Sequence, residues 1–211
     1  WLDETRRYYT NIVGKYGIQV QNVLKKTAEL DIRVICPLHG PIWRTNLDYI
    51  IEKYDTWSRY EPEEAGVMIA YASMYGNTEN MAEIFAAILA EAGVKNIRMH
   101  NITKTHVSEL ISDSFKYSHI ILAAPTYNNG IYPLMHSYLE DMKALSLQNR
   151  TIAVLGNGTW APQSSKLISA KIGEMKNMRL LDLAITIKSS VKDSHMEEIQ
   201  SLARQIAAEV L

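Results

Sequence analysis

From residue 66 onward, short apolar runs alternate five times with segments whose apolar residues recur at helical spacing. A strand that rejoins its sheet through a helix runs parallel to the strand before it, so this alternation predicts a parallel sheet with helices on both faces. The periodicity places strands at 66–73, 96–102, 117–125, 151–156 and 181–188, and helices near 78–92, 105–114, 133–145, 162–176 and 193–211. The run Ser118-His119-Ile120-Ile121-Leu122-Ala123-Ala124 is almost continuously apolar, as a strand buried on both faces requires. With 47% hydrophobic residues in a chain of 211, the expected architecture is one doubly wound α/β domain over 66–211, for which 2-1-3-4-5 is one of the common strand orders.

In open α/β sheets, ligands lie beyond the carboxyl ends of the strands, where the strand order reverses. Three turn-rich segments fall at such ends: Ser73-Met74-Tyr75-Gly76-Asn77-Thr78, Pro125-Thr126-Tyr127-Asn128-Asn129-Gly130, and Gly156-Asn157-Gly158-Thr159-Trp160. They follow strands one, three and four, which are neighbours in this order, so the three loops should converge. Small residues permit close backbone approach, amides and hydroxyls supply hydrogen bonds, and Tyr127 and Trp160 add rings, which suits a flat heteroaromatic ligand with a phosphate tail. The first loop opens a helix, whose N-terminus carries roughly half a positive charge and free N–H groups. It contains no Lys or Arg, and neither G-x-x-x-x-G-K-[ST] nor G-x-G-x-x-G is present, so a monophosphate held by hydrogen bonds fits better than a triphosphate or a dinucleotide. Each segment also has a plain structural reading: an N-capped helix start, a Pro/Asn/Gly turn, and a tryptophan covering a sheet end.

A formal net charge of -1 without a basic cluster argues against a nucleic-acid partner. No apolar run reaches the ~18 to 20 residues of a membrane span, and the N-terminus lacks the apolar region of a signal peptide. The single cysteine, Cys36, excludes an internal disulfide and a CxxC site, and a cytoplasmic location is expected. A chain that starts at Trp1 is expected to be a processed product or a piece of a longer one. Its first 65 residues fall outside the alternation: 2–30 reads as one amphipathic helix or two, 31–38 as a short strand carrying Ile32, Val34, Ile35 and Cys36, 46–60 as an aromatic-rich helix, and 61–64 as a linker. Such elements cannot form a core of their own, so they should pack on the body or on something outside the chain.

Three stretches, in order, carry a resemblance: Val34-Ile35-Cys36-Pro37-Leu38-His39-Gly40-Pro41-Ile42-Trp43-Arg44, then Tyr54-Asp55-Thr56-Trp57-Ser58, then Ala70-Tyr71-Ala72 leading into the first loop. The three loops resemble the FMN site of flavodoxins, and the whole chain resembles the C-terminal half of flavodiiron proteins, also called A-type flavoproteins. The resemblance implies a flavodoxin-like five-stranded sheet over 66–211, preceded by a helical and strand remnant of a metallo-β-lactamase-like domain over 1–64. It implies that residues 73–78 surround the FMN phosphate, that Pro125 and residues 126–130 border the isoalloxazine ring, and that residues 156–160 line its other side, with Trp160 as a shield. The family often has Tyr-Gly before that tryptophan, where this chain has Gly158-Thr159.

By the same resemblance, His39 would be one iron ligand of the intact protein. The family's H-x-E-x-D-H motif does not occur here, so the chain is expected to bind FMN and no iron. In the family, electrons pass from rubredoxin or another donor to FMN and then to a di-iron site that reduces oxygen or nitric oxide, in homodimers or homotetramers. Two other readings stay open: a stand-alone flavodoxin-like electron carrier, and a module for some other phosphate. The loops 73–78, 125–133 and 156–162 contain no Asp or Glu, which predicts little repulsion of a reduced flavin.

Overall fold

The computed structural model of the chain describes residues 1–182 and 184–211. The N-terminal segment consists of α1 (Leu2–Ile12), a 3-10 turn (Gly14–Tyr16), α2 (Gly17–Thr27) and α3 (Leu47–Ser58). Residues 2–30 therefore form two helices. Gly17 starts the second because a Cβ there would lie 2.3 Å from the Ser58 carbonyl oxygen, so only glycine lets α2 begin against the end of α3.

The strand expected over 31–38 is not formed. Its pairing is a single antiparallel bridge, in which the N–H of Ile35 reaches the Trp43 carbonyl at 3.0 Å and the N–H of Trp43 reaches the Ile35 carbonyl at 2.9 Å. Pro37 and Pro41 bring no N–H donors, and no further strand among the described residues extends the ladder.

The remainder follows the alternation: β1 (Glu64–Tyr71), α4 (Asn77–Glu91), β2 (Ile97–Asn101), α5 (Val107–Lys116), β3 (Tyr117–Tyr127), β4 (Gly130–Ile131), α6 (Pro133–Ala144), β5 (Thr151–Asn157), α7 (Ser164–Gly173), β6 (Arg179–Leu180), β7 (Ile185–Ile187) and α8 (Asp193–Val210). The sheet order is β2-β1-β3-β5-β6, parallel throughout this path, which is the predicted 2-1-3-4-5 arrangement. The fifth strand is split: β6 and β7 both pair with β5, and residue 183 of the expected 181–188 lies outside the described residues. One addition was not expected, the antiparallel β4, which folds back on the end of β3.

Strand side chains alternate between two cores. Val67, Ile69 and Tyr71 of β1 face α4 and α8 with Phe85, Leu89 and Ile206, whereas Met68 and Ala70 face α5, α6 and α7 with Phe115, Met142 and Ile172. Burial on both faces explains why the central strands read as continuous apolar runs.

The N-terminal segment packs on this body, with α1 against α5. Glu63, expected in a linker, is a buried hub: its carboxylate lies 3.3 Å from Arg6 Nη1 and 2.8 Å from Lys53 Nζ, and accepts a hydrogen bond from Trp57 Nε1 at 3.0 Å. A second hub is Arg150, also buried, which donates to main-chain carbonyls of Tyr60 (2.7 Å), Glu61 (3.4 Å), Ser114 (2.9 Å), Phe115 (2.7 Å), Gln148 (3.0 Å) and Asn149 (3.2 Å). Burial pulls its pKa down to about 9, which still leaves the guanidinium charged at neutral pH. Its planar fork and the carbonyl end of α5 suit each other, because the last turn of a helix favours a cation.

Replacing Arg150 with Met strands several buried carbonyls and is expected to lower the unfolding free energy by roughly 3–5 kcal/mol. Arg150→Lys, which keeps the charge but loses the fork, should leave most of that loss in place when both variants are compared by urea denaturation.

Candidate functional site

The order of the sheet reverses at β1, and the carboxyl ends of β1, β3 and β5 meet there. Two adjoining cavities open at this point. The smaller, about 110 Å³, is lined by Ser73, Met74, Tyr75, Asn77, Thr78, Pro125, Thr126, Asn157, Gly158, Thr159 and Ser189. The larger, about 570 Å³, shares Tyr75, Thr126, Gly158 and Thr159 and adds Asn128, Asn129, Trp160 and Ala161. The three predicted loops do converge. No lining residue of either cavity is charged.

The first loop is shaped by its own hydroxyl. Ser73 Oγ accepts the Gly76 N–H at 3.0 Å, and Gly76 adopts φ of 85°, a left-handed conformation that glycine enters without strain. The turn delivers the chain into α4, and no side chain among the described residues caps that helix. The reading of Ser73–Thr78 hydroxyls as ordinary helix caps is thus not met, and the opening N–H groups of α4 remain available to an anion. Glu79, the acidic residue in that first turn, accepts a hydrogen bond from the Tyr71 hydroxyl at 2.8 Å. Burial, reinforced by Glu79, pushes the Tyr71 phenol up to about 12, so it stays a donor at neutral pH.

The second loop is a tight hairpin. Tyr127 pairs with Gly130, and the two central residues, Asn128 and Asn129, have φ of 48° and 58°. Positive φ at both positions is the type I′ signature, which asparagine tolerates best after glycine. Tyr127 lies between Thr126 and Asn128, which both line the larger cavity, and its ring meets that of Tyr132 edge-on, with ring centroids 6.1 Å apart. Tyr75 and Trp160 are the rings at the larger cavity, and Trp160 is 95% exposed. Gly76, Gly130 and Gly156 line neither cavity and serve the turns and the packing behind them.

Thr126 sits where the cavities meet. Its Oγ1 accepts the N–H groups of Gln163 (2.8 Å) and Ser164 (3.1 Å), capping α7 from a neighbouring strand. Asn157, expected in the third loop, pins a fourth segment that periodicity did not reveal: its Nδ2 donates to the Ser189 carbonyl at 2.9 Å and its Oδ1 accepts the Ser189 N–H at 3.1 Å. Ser189 has φ of 66° and follows β7, so its place at a carboxyl strand end was the available signal. The hydroxyl and amide donors and the uncharged lining are of a kind that fits a flavin mononucleotide.

His39 stands apart on the N-terminal segment, exposed, with its ring 5.2 Å from that of Tyr8. Among the described residues no group of three His, Cys, Asp or Glu is arranged to hold a metal, and no helix is long and apolar enough to cross a membrane.

A family profile described as flavodoxin matches residues 69–204. The nitric oxide reductase of Moorella thermoacetica is 25% identical over 99% of this chain and 52% of its own length. The rubredoxin-oxygen oxidoreductase of Megalodesulfovibrio gigas is 27% identical over 96% of this chain and 50% of its own. The crystal structure of the flavodiiron protein from Giardia intestinalis superposes with a TM-score of 0.91 at 21% identity, covering 99% of this chain and 52% of that one. The chain spans about half the length of the curated relatives it matches.

Thr126→Val removes the acceptor that caps α7 and is expected to cost about 1–2 kcal/mol of stability. Thr126→Ser keeps the oxygen and should cost less than half as much in the same denaturation experiment; equal losses would show that the cap contributes nothing.

Proposed function

The chain belongs to the flavodoxin family, and from that premise we propose that it is an FMN-binding electron-transfer unit of a flavodiiron oxygen or nitric oxide reductase. The observation that carries this reading is the convergence of three uncharged loops on one pair of cavities at the switch point of the sheet. The isoalloxazine supplies the redox chemistry when bound. Residues 73–78 and the opening N–H groups of α4 hold the phosphate by hydrogen bonds and the helix field. Thr126, Asn157 and Ser189 fix the relative positions of the loops. Tyr75 and Trp160 offer flat faces to the ring, and Asn128, Asn129, Gly158 and Thr159 offer amide and hydroxyl groups to its edge. Because no carboxylate lines either cavity, the chain adds little repulsion to a reduced flavin, which suits a unit that passes two electrons onward.

Several observations support placement in a longer protein. The likeness to the oxygen and nitric oxide reductases runs over 96% and 99% of this chain, beyond the stretch matched as flavodoxin, and reaches the His39-Gly40-Pro41-Ile42-Trp43 run. In this reading residues 1–64 are the end of a metallo-β-lactamase-like domain and 66–211 the flavin domain. His39 is then one iron ligand, with the others supplied by residues this chain does not contain. The apolar side chains that the N-terminal segment leaves exposed, Leu38 at 98% and Trp1 at 66% among them, are consistent with a face that the rest of such a domain covers. The electron donor would be rubredoxin-like and the assembly a homodimer or homotetramer, in the cytoplasm.

The test is reconstitution. Protein supplied with FMN should take up one equivalent and turn yellow, with riboflavin, which lacks the phosphate, bound at least about tenfold more weakly. Ser73→Ala should weaken FMN by about tenfold and riboflavin hardly at all. Equal affinity for the two flavins would overturn the assignment of the phosphate loop. In a redox titration the second-electron potential should lie above that of highly acidic flavodoxins, and a value as low as theirs would contradict the role given to the uncharged lining.

A further inference from the structure

A cavity of about 630 Å³ lies away from the strand ends, in the seam between α2 and the body. One wall is a single helical face, because Ile18, Gln21, Asn22 and Lys25 recur at the spacing that brings side chains together along α2. The opposite wall comes from the turns that follow α6 and α7, through Ser146, Gln148 and Lys176. The floor is apolar and buried, formed by Tyr60, Leu147 and Met175.

The rim carries four lysines, Lys15, Lys25, Lys143 and Lys176, against one carboxylate, Glu174. That carboxylate is already taken, with Lys143 Nζ 2.6 Å from its Oε2. Lys15, Lys25 and Lys176 have no carboxylate within ion-pair distance among the described residues. Four exposed lysines around one concavity, in a chain whose net charge is -1, present positive charge to an anion, with Lys15 Nζ also 4.9 Å from the centroid of the Tyr16 ring.

We propose that this seam cavity binds a small phosphorylated molecule with an aromatic body, of the nucleoside diphosphate class. The volume falls in the range of small-molecule sites. Lysine ammonium groups act as point charges for phosphate, the apolar floor accepts the flat face of a base, and the amides of Gln21, Asn22 and Gln148 can pair with its edge. A ligand held between α2 and the two body turns bridges the N-terminal segment to the sheet beside Tyr60, whose carbonyl Arg150 also holds. Binding there would therefore tighten the same joint from the other side.

The experiment uses FMN-loaded protein, so that the phosphate loop is occupied, with ADP as the probe in a calorimetric titration and flavin absorbance monitored throughout. Saturable one-to-one binding of ADP is expected, with adenosine at least about tenfold weaker. The double variant Lys25→Glu/Lys176→Glu should lose at least about tenfold in ADP affinity with FMN content unchanged. Adenosine binding as well as ADP, an undiminished double variant, release of FMN in step with ADP uptake, or no saturation up to about 5 mM ADP would each overturn the proposal. Should the double variant fail to fold, Lys176→Ala and a salt series on the unaltered protein decide: weaker ADP binding in both supports the site, and no change in either refutes it.

Discussion

The arrangement depends on a cation that has no carboxylate partner among the described residues. Arg150 is buried and gathers carbonyls from three places: Tyr60 and Glu61, just before β1; Ser114 and Phe115, just before β3; and Gln148 and Asn149, just before β5. These are the amino ends of the three strands whose carboxyl ends carry the cavities. One guanidinium thus fixes how far each strand is advanced relative to its neighbours, and the ladders carry that alignment along the sheet, with Val67 opposite His119 and His119 opposite Thr151. A slip of one residue at the Arg150 end would turn every inward side chain outward at the loop end. Its position at the carbonyl end of α5 makes the burial of an unpaired charge tolerable, since the helix field and several hydrogen bonds replace the lost water.

At the other end of the sheet the design inverts. There the chain holds no charge in the cavity walls, and the available polarity is that of N–H groups, hydroxyls and amides. Such groups cannot titrate near neutral pH and are aimed by the turns that contain them, with Ser73 bent onto Gly76 and Asn157 clamped to Ser189. The field that favours an anion comes from α4 and does not depend on the placement of a flexible ammonium group. In the proposed reading the lining, which carries charge of neither sign, would neither attract a phosphate through an ammonium group nor repel added electrons through a carboxylate.

Much of this was legible in the sequence for one reason: periodicity is local. The switch between strand and helix spacing from residue 66 located the strands, the helices and the three loops, since each depends on residues within a few positions of one another, whereas the strand order came from the common doubly wound arrangement. Two classes of feature were hidden. Hubs such as Arg150 and Glu63 join residues far apart in the chain, and a lone arginine or a glutamate in an apparent linker carries no local mark of burial. Local pairing was the other: the Asn128-Asn129 turn makes a hairpin in which the Tyr127 ring meets Tyr132, and 31–38 has strand-like residues with almost nothing to pair with. Ser189 fell between the two, signalled by its place after a strand and missed because that strand is short and split.

The central claim is that the phosphate is held by neutral donors and a helix end. The most direct test is the dissociation constant for FMN measured across a salt series from about 0.05 to about 0.5 M. The account predicts a change of no more than about threefold over that range, because no lysine or arginine lines the phosphate cavity and few counterions are exchanged. A weakening of tenfold or more would mean that cationic side chains carry the phosphate, and would contradict it.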